Sequence, residues 1–169
     1  MTRITTGSAK NKNLVSPNIP DFRAIQEVAK SAVFSVLGEK VVNSNCLDLF
    51  AGSGNMGIEA LSRGASWCDF VDVNEKSVRA IEKNLIICNL KEKAGVYKQE
   101  AVKFVADTPS RYDLIFLDPS YSDVKHKYLM ELLPEVLNEN GIIVFFHGNN
   151  LNIDDLLEKS SAKVFDSRK

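Results

Sequence analysis

Three short apolar runs, CLDLF (46–50), LIFL (114–117) and IIVFF (142–146), constrain the fold of this chain more than any other feature. They are continuous rather than alternating. A strand with one wet face alternates apolar and polar residues, whereas a strand covered on both faces does not. The segments between them carry helical spacing. Residues 22–37 place Phe22, Ile25, Ala29, Ala32, Val33, Val36 and Leu37 on one side, and Gly38 is positioned to end that helix. Residues 55–63 read as a helix stopped by Gly64, after which WCDFVDV (67–73) reads as a strand. Asn74 can cap a helix that carries Val78, Ile81, Leu85 and Ile86. A strand at 95–98, a short helix at 100–107 and the strand YDLIFLD (112–118) follow. A helix over 125–138, broken or restarted at Pro134, leads to a turn at Asn140-Gly141 and the strand IIVFF. A helix near 153–160 and a weak strand at 162–166 complete the pattern.

Strands alternating with helices predict an α/β fold, a mostly parallel twisted sheet with helices on both faces. Crossovers in such a sheet are right-handed. Ligands bind beyond the carboxyl ends of its strands, so chemistry is to be sought there. The 169 residues suit one domain, and 44% hydrophobic with 25% charged residues is an ordinary globular composition. No apolar run reaches 18 residues, and the polar start MTRITTGSAKNKN lacks the apolar stretch of a secretory signal. Cys46, Cys68 and Cys88 form no C-x-x-C pair, and two histidines add too little for a zinc site. The expectation is reduced core thiols, no metal, no membrane and a cytoplasmic location. Net charge is −1, yet residues 1–20 hold Arg3, Lys10 and Lys12 and no acid. Such an arm can contact phosphates or be a solvated tail.

Several strand ends carry unusual residues. Gly52, Gly54 and Gly57 form a G-x-G-x-x-G between a strand and a helix. Glycines there allow a tight turn and close approach of backbone to a ligand, a dinucleotide or a nucleoside. Asp72 ends its strand twenty residues after Gly52 and can accept from both hydroxyls of a ribose. It can equally serve as an acid at the start of the next helix. Asp118-Pro119-Ser120-Tyr121 combines a carboxylate, a carbonyl and a flat ring. The two acceptors could hold the protons of an amino group while the ring stacks on a base, or the segment is a turn. Glu100-Ala101 could receive an adenine, or Glu100 caps a helix.

Taken together, these residues resemble a known family. DLFAGSGNMGIEALSRGA (48–65) resembles the cofactor loop of class I S-adenosylmethionine-dependent methyltransferases, and its LSRGA continuation marks a narrower group. DPSY resembles the Asp-Pro-Pro-Tyr/Phe motif of enzymes that methylate amino groups of nucleic-acid bases. The R-I-x-x-G at 3–7 and the helix Phe22–Leu37 also align. The chain is similar over nearly its whole length to the bacterial methyltransferases that modify a guanine N2 in small-subunit ribosomal RNA. The resemblance implies S-adenosylmethionine contacts from Asp48, Phe50, Ala51, Gly52, Ser53, Gly54, Asp72, Val73, Asn74, Glu100 and Ala101. It implies that Asp118, Pro119, Ser120 and Tyr121 carry catalysis, and that Arg3, Lys10, Lys12 and Arg23 meet RNA. Ribosomal RNA or the small subunit is the expected partner. Residues 1–40 would form an arm and helix ahead of a cofactor-binding core over 41–169, all one domain.

The chain departs from the family at named places. Ser120 stands for the second proline, Arg23-Ala24-Ile25 for Arg-Pro-Thr, Ala29-Lys30-Ser31 for Val-Arg-Glu, and Phe146-His147 for Val-Glu. The family fold ends with an antiparallel strand beside IIVFF, which here has no counterpart, so a monomer with scope for strand exchange at that edge is expected. Other readings remain open: methylation of adenine N6 in DNA or RNA, an NAD-binding oxidoreductase, or a methyltransferase-like protein without catalysis.

Overall fold

The structure is a computed structural model that describes residues 2–20, 22–119, 126–148, 151–158 and 160–167. Its centre is a five-stranded parallel sheet formed by β3 (Asn45–Leu49), β4 (Trp67–Asp72), β5 (Ala94–Lys98), β6 (Tyr112–Leu117) and β7 (Leu137–Phe145). The spatial order is β5-β4-β3-β6-β7. The chain therefore winds outward from β3 in one direction, returns, and winds outward from β6 in the other. The strand order reverses between β3 and β6, and a crevice opens at the carboxyl ends of strands flanking such a reversal.

Each strand sends alternate side chains to opposite faces. On one face Cys46, Cys68, Phe70, Leu114, Phe116 and Ile142 pack with residues of α1 (Glu27–Leu37), α2 (Asn55–Ser62) and α3 (Glu75–Ile87), including Phe34, Ile58, Leu61, Ile81 and Leu85. On the other, Leu47, Leu49, Val71, Ile115 and Leu117 meet α4 (Ala101–Asp107), α5 (His126–Val136) and α6 (Ile153–Leu157) through Phe104, Val105, Leu129, Leu133 and Leu156. Both faces are covered, as the continuous apolar strands require. Each fully buried Leu, Ile or Phe adds roughly 1.5–3 kcal/mol of transfer free energy. The three cysteines are free and buried, Cys46 and Cys68 opposite one another on β3 and β4. Burial pushes the Cys46 thiol up to about 12.

Several elements differ from the sequence reading. The first helix starts at Glu27, not at 22; Gln26 is extended, with ψ 147°. Phe22 and Ile25, although helically spaced, face the glycine loop instead. Pro134 sits inside α5 without ending it. Asn140 is left-handed (φ 62°), as a turn residue would be, yet it is absorbed within β7, whose pairing with β6 shifts register between Tyr112 and Leu114. The predicted strand at 162–166 is not formed, and α6 is shorter than expected. Among the described residues, β7 lies at the sheet edge and no helix is long and apolar enough to cross a membrane.

The arm is ordered and docked. β1 (Thr2–Arg3) pairs antiparallel with β2 (Asn13–Leu14), and Ile4, Ala9 and Leu14 are buried in the core cluster of α1–α3. Its docking dictates a glycine: a Cβ on Gly7 would lie 1.7 Å from the Ser62 carbonyl oxygen, and its φ is +88°.

Candidate active site

The glycine loop leaves β3 in a conformation that ordinary residues avoid. Phe50, Gly52 and Gly54 have φ of 58°, 58° and 76°. Glycine adopts this backbone freely, whereas for Phe50 it costs energy and persists only because neighbours hold it. The Gly52 N–H donates to Asp72 Oδ2 at 2.9 Å, the Ala51 N–H to the Val71 carbonyl at 3.2 Å and the Gly54 N–H to the Ala51 carbonyl at 2.7 Å. Gly57, in the first turn of α2, serves packing: a Cβ there would fall 2.4 Å from Phe70 Cε1 and 2.6 Å from Cys68 Sγ. Ala51, Ser53 and Gly54 are buried.

Three carboxyl groups converge at the strand ends around this loop. Asp48 is buried and accepts from the Gly57 N–H at 2.9 Å. Burial pushes it well above the usual carboxylate range, and the neighbouring Asp118 and Asp72 push it further. Asp118, just past β6, is pushed up to about 6 by burial. Asp72 closes β4 and uses both oxygens on backbone, Oδ2 on Gly52 and Oδ1 on the Asn74 N–H at 2.8 Å. Each carboxylate oxygen keeps a second lone pair for a ligand hydroxyl. Asp72 thus occupies the helix-entry role and leaves the ribose role available. An acidic, desolvated pocket of this kind favours a cationic ligand such as a sulfonium that also bears an ammonium group.

The remaining predicted residues divide by position. Asn74 caps α3, its side chain accepting from the Lys76 N–H at 2.9 Å. Val73 beside it is exposed and offers a flat apolar surface at the rim. Glu100 caps α4 by accepting from the Lys103 N–H at 3.1 Å, and Ala101 is buried behind it. Pro119 is buried next to Asp118. Ser120 and Tyr121 lie outside the described residues. A narrow cleft of about 30 Å³ runs between the glycine loop and the segment Phe22–Ile25, bounded also by Asp48, Asn55, Met56 and Asp118. The Phe22 ring closes it: a Cβ on Gly52 would lie 2.7 Å from Phe22 Cε2. On the other side of that segment a cavity of about 400 Å³ is lined by Thr2, Ser16, Pro17, Ile19, Gln26 and Glu27.

The candidate RNA residues are not gathered. Arg23 lines the cleft, and Arg3 pairs with Glu27 at 3.2 Å near the larger cavity. Lys10 and Lys12 are exposed on the turn of the arm, which docks on Ser62 at the far end of α2 and approaches Cys88 at the end of α3. Those helix ends return toward the amino-terminal ends of the parallel strands, whereas Asp118 follows the carboxyl end of β6. Among the described residues no group of three His, Cys, Asp or Glu side chains is arranged to hold a metal ion.

Sequence reasoning assigned no role to several buried polar residues behind the loop, Lys30 and Asn84 among them. Lys30 and Asn84 are fully buried. Lys30 Nζ donates to Asn55 Oδ1 at 2.8 Å and pairs with Glu59 at 2.9 Å. Asn84 Nδ2 donates to the Ser53 carbonyl at 2.8 Å. Lysine and asparagine are mostly surface residues, and only their place on otherwise apolar helix faces could have singled them out.

The model of the family described as conserved hypothetical protein 95 matches residues 2–166. The chain belongs to that family. It is 35% identical over 158 residues to a Bacillus subtilis protein named "Putative rRNA methyltransferase YlbH", covering 90% of this chain and 86% of the relative. It is 31% identical over 139 residues to the Escherichia coli ribosomal RNA small subunit methyltransferase D, covering 82% and 68%. Its fold matches an Escherichia coli structure named "Putative methyltransferase yhhF" with a TM-score of 0.80 and 25% identity, over 89% of this chain and 84% of that one. Family and fold make the chain a methyltransferase with a Rossmann-like fold.

Proposed function

We propose that the protein transfers a methyl group from S-adenosylmethionine to the exocyclic N2 amine of a guanine in small-subunit ribosomal RNA. The observation that carries this reading is the placement of Asp118-Pro119 beside the glycine loop, at the point where the strand order reverses. The names of the relatives in Bacillus subtilis and Escherichia coli support an RNA substrate. S-adenosylmethionine brings a methyl already activated on sulfur. The exocyclic amine is a poor nucleophile because its lone pair is delocalised into the ring. Asp118, ionised, and the Pro119 carbonyl would accept the two amine hydrogens and turn the lone pair toward the methyl. They would also stabilise the positive charge growing on nitrogen, which is orientation with electrostatic help. Tyr121 would stack on a base withdrawn from its helix. Asp72 would accept from the ribose hydroxyls, Val73 would flank the adenine, and Glu100 with Ala101 would meet its edge.

The test is transfer of labelled methyl to deproteinised ribosomal RNA, to assembled small subunits and to DNA, followed by mapping of the modified base. Incorporation at a guanine N2 of the small-subunit RNA supports the reading. Modification of adenine N6, or no transfer to any substrate, refutes it.

A further inference from the structure

The loop that carries the three left-handed residues is fixed partly from outside the core. Lys30 lies on α1, and its ammonium group has three acceptors: the Arg3 carbonyl at 2.6 Å, Asn55 Oδ1 at 2.8 Å and Glu59 Oε2 at 2.9 Å. One acceptor belongs to the arm and one to the residue that follows Gly54. Asn55 in turn donates from Nδ2 to the Ile25 carbonyl at 3.3 Å, on the segment that closes the cleft. Glu59 gathers the arm from the other side, accepting from the Thr5 and Thr6 N–H groups at 2.9 and 3.1 Å and from Thr5 Oγ1 at 2.7 Å.

A second tether runs through α3. Asn84 pairs with Val15 much as a strand residue would, accepting from its N–H at 2.7 Å and donating to its carbonyl at 2.9 Å. The same amide donates to the Ser53 carbonyl, inside the glycine loop. Burying an ammonium, a carboxylate and an amide costs desolvation that apolar residues of the same size would avoid. What Lys30 and Asn84 supply is direction: the first joins the Arg3 carbonyl to Asn55 and the second joins Val15 to Ser53.

We propose that the N-terminal arm is part of the mounting of the cofactor loop, with Lys30 and Asn84 as positioning residues that relay arm docking to Asn55 and Ser53. This rests on the reading of that loop as the S-adenosylmethionine site. The arm then acts on methyl-donor binding even when no RNA is present, which a purely RNA-contacting arm does not.

The test is calorimetric titration of the full chain with S-adenosylmethionine in the absence of RNA. Two variants break the tethers: Asn84→Leu, and Lys30→Met combined with Glu59→Met, which removes both charges so that neither is left buried alone. Leu133→Ala, in the core on the opposite face of the sheet, is the control for general destabilisation. Each tether variant is expected to raise Kd on the order of tenfold, a typical coupling between linked sites. Amide exchange should quicken at residues 52–55 and stay unchanged in β6. Leu133→Ala should lower the melting temperature and leave Kd unchanged. The inference is overturned if either folded tether variant keeps the wild-type Kd, or if Leu133→Ala raises Kd as much as they do. A wild-type protein that binds no S-adenosylmethionine overturns the cofactor reading itself, a result distinct from both.

Discussion

Replacing Asp118 by Asn should trade activity for stability, and the size of the trade follows from the burial of that carboxyl. Holding Asp118 at about 6 rather than 3.8 means that its ionised form costs the folded protein about 3 kcal/mol. Below pH 3.8 the group is protonated in both folded and unfolded chains and contributes no penalty. As pH rises from 3.8 to about 6 the unfolded chain releases this proton while the folded chain keeps it, so stability falls across that window. Above it the penalty is complete. Asn is neutral at every pH and close in shape, so Asp118→Asn should be more stable than wild type at pH 8, by up to that amount. The difference should vanish near pH 4. Urea denaturation of both proteins at the two pH values measures it. In the same variant methyl transfer should fall on the order of 100-fold or more, as when one preorganised polar contact is removed from a reacting group. The wild-type rate should climb with pH through about 6 while the residual rate of the variant stays flat. Equal stability at pH 8, or a wild-type rate indifferent to pH between 5 and 7, would refute the account of Asp118 as a desolvated carboxylate that must ionise to act.

Gly7→Ala drives a methyl group into the Ser62 carbonyl at a left-handed position, so it should cost about 1–3 kcal/mol in chemical denaturation and loosen the arm. Asp72→Ala frees both the Gly52 and Asn74 N–H groups and should weaken S-adenosylmethionine binding in a titration; unchanged affinity would sink the ribose assignment. For Glu59, burial pushes the carboxyl up but bonds from Thr5 and Lys30 outweigh it and hold it below its ordinary value. Its contribution is therefore full above about pH 4.5 and lost as pH falls through its lower folded value. Acid denaturation of the Glu59→Met, Lys30→Met protein should accordingly show a shallower fall in that range. Asn74→Ala removes a helix cap and should cost about 1 kcal/mol by the same denaturation measurement.

What could be read from the residues was whatever neighbours in sequence decide. The glycine loop, the Asn74 cap and the both-sides-buried strands are local matters of backbone freedom and side-chain period, and they stand where expected. Strand order is not local. That β3 and β6 are neighbours, bringing Asp118 to the distant glycine loop, is settled by packing and left no periodic mark. Phe22 and Ile25 show the opposite error. Their spacing matches a helix, but Phe22 covers Gly52 and Ile25 packs against the core cluster, and the helix begins only at Glu27. Asn140-Gly141 has turn chemistry, and the strand keeps it as an irregularity because Leu137 before it and Ile142 after it both pair with β6. Lys30 and Asn84 were illegible for another reason: a polar residue declares itself buried only when its partners are known.

The three cysteines turn the molecule into its own reporter. A thiol reacts with an alkylating probe only as exposed thiolate, and all three are buried with their thiols pushed up by burial. Cys46 and Cys68 sit side by side in the centre of the sheet and can be reached only when the whole sheet opens. Cys88 caps α3 and belongs to the same buried cluster as Ala9 and Leu14 of the arm. Labelling at Cys88 alone is therefore expected to follow lifting of the arm, and labelling at the other two global unfolding. One reagent, with no engineered label, separates the two events on the same clock.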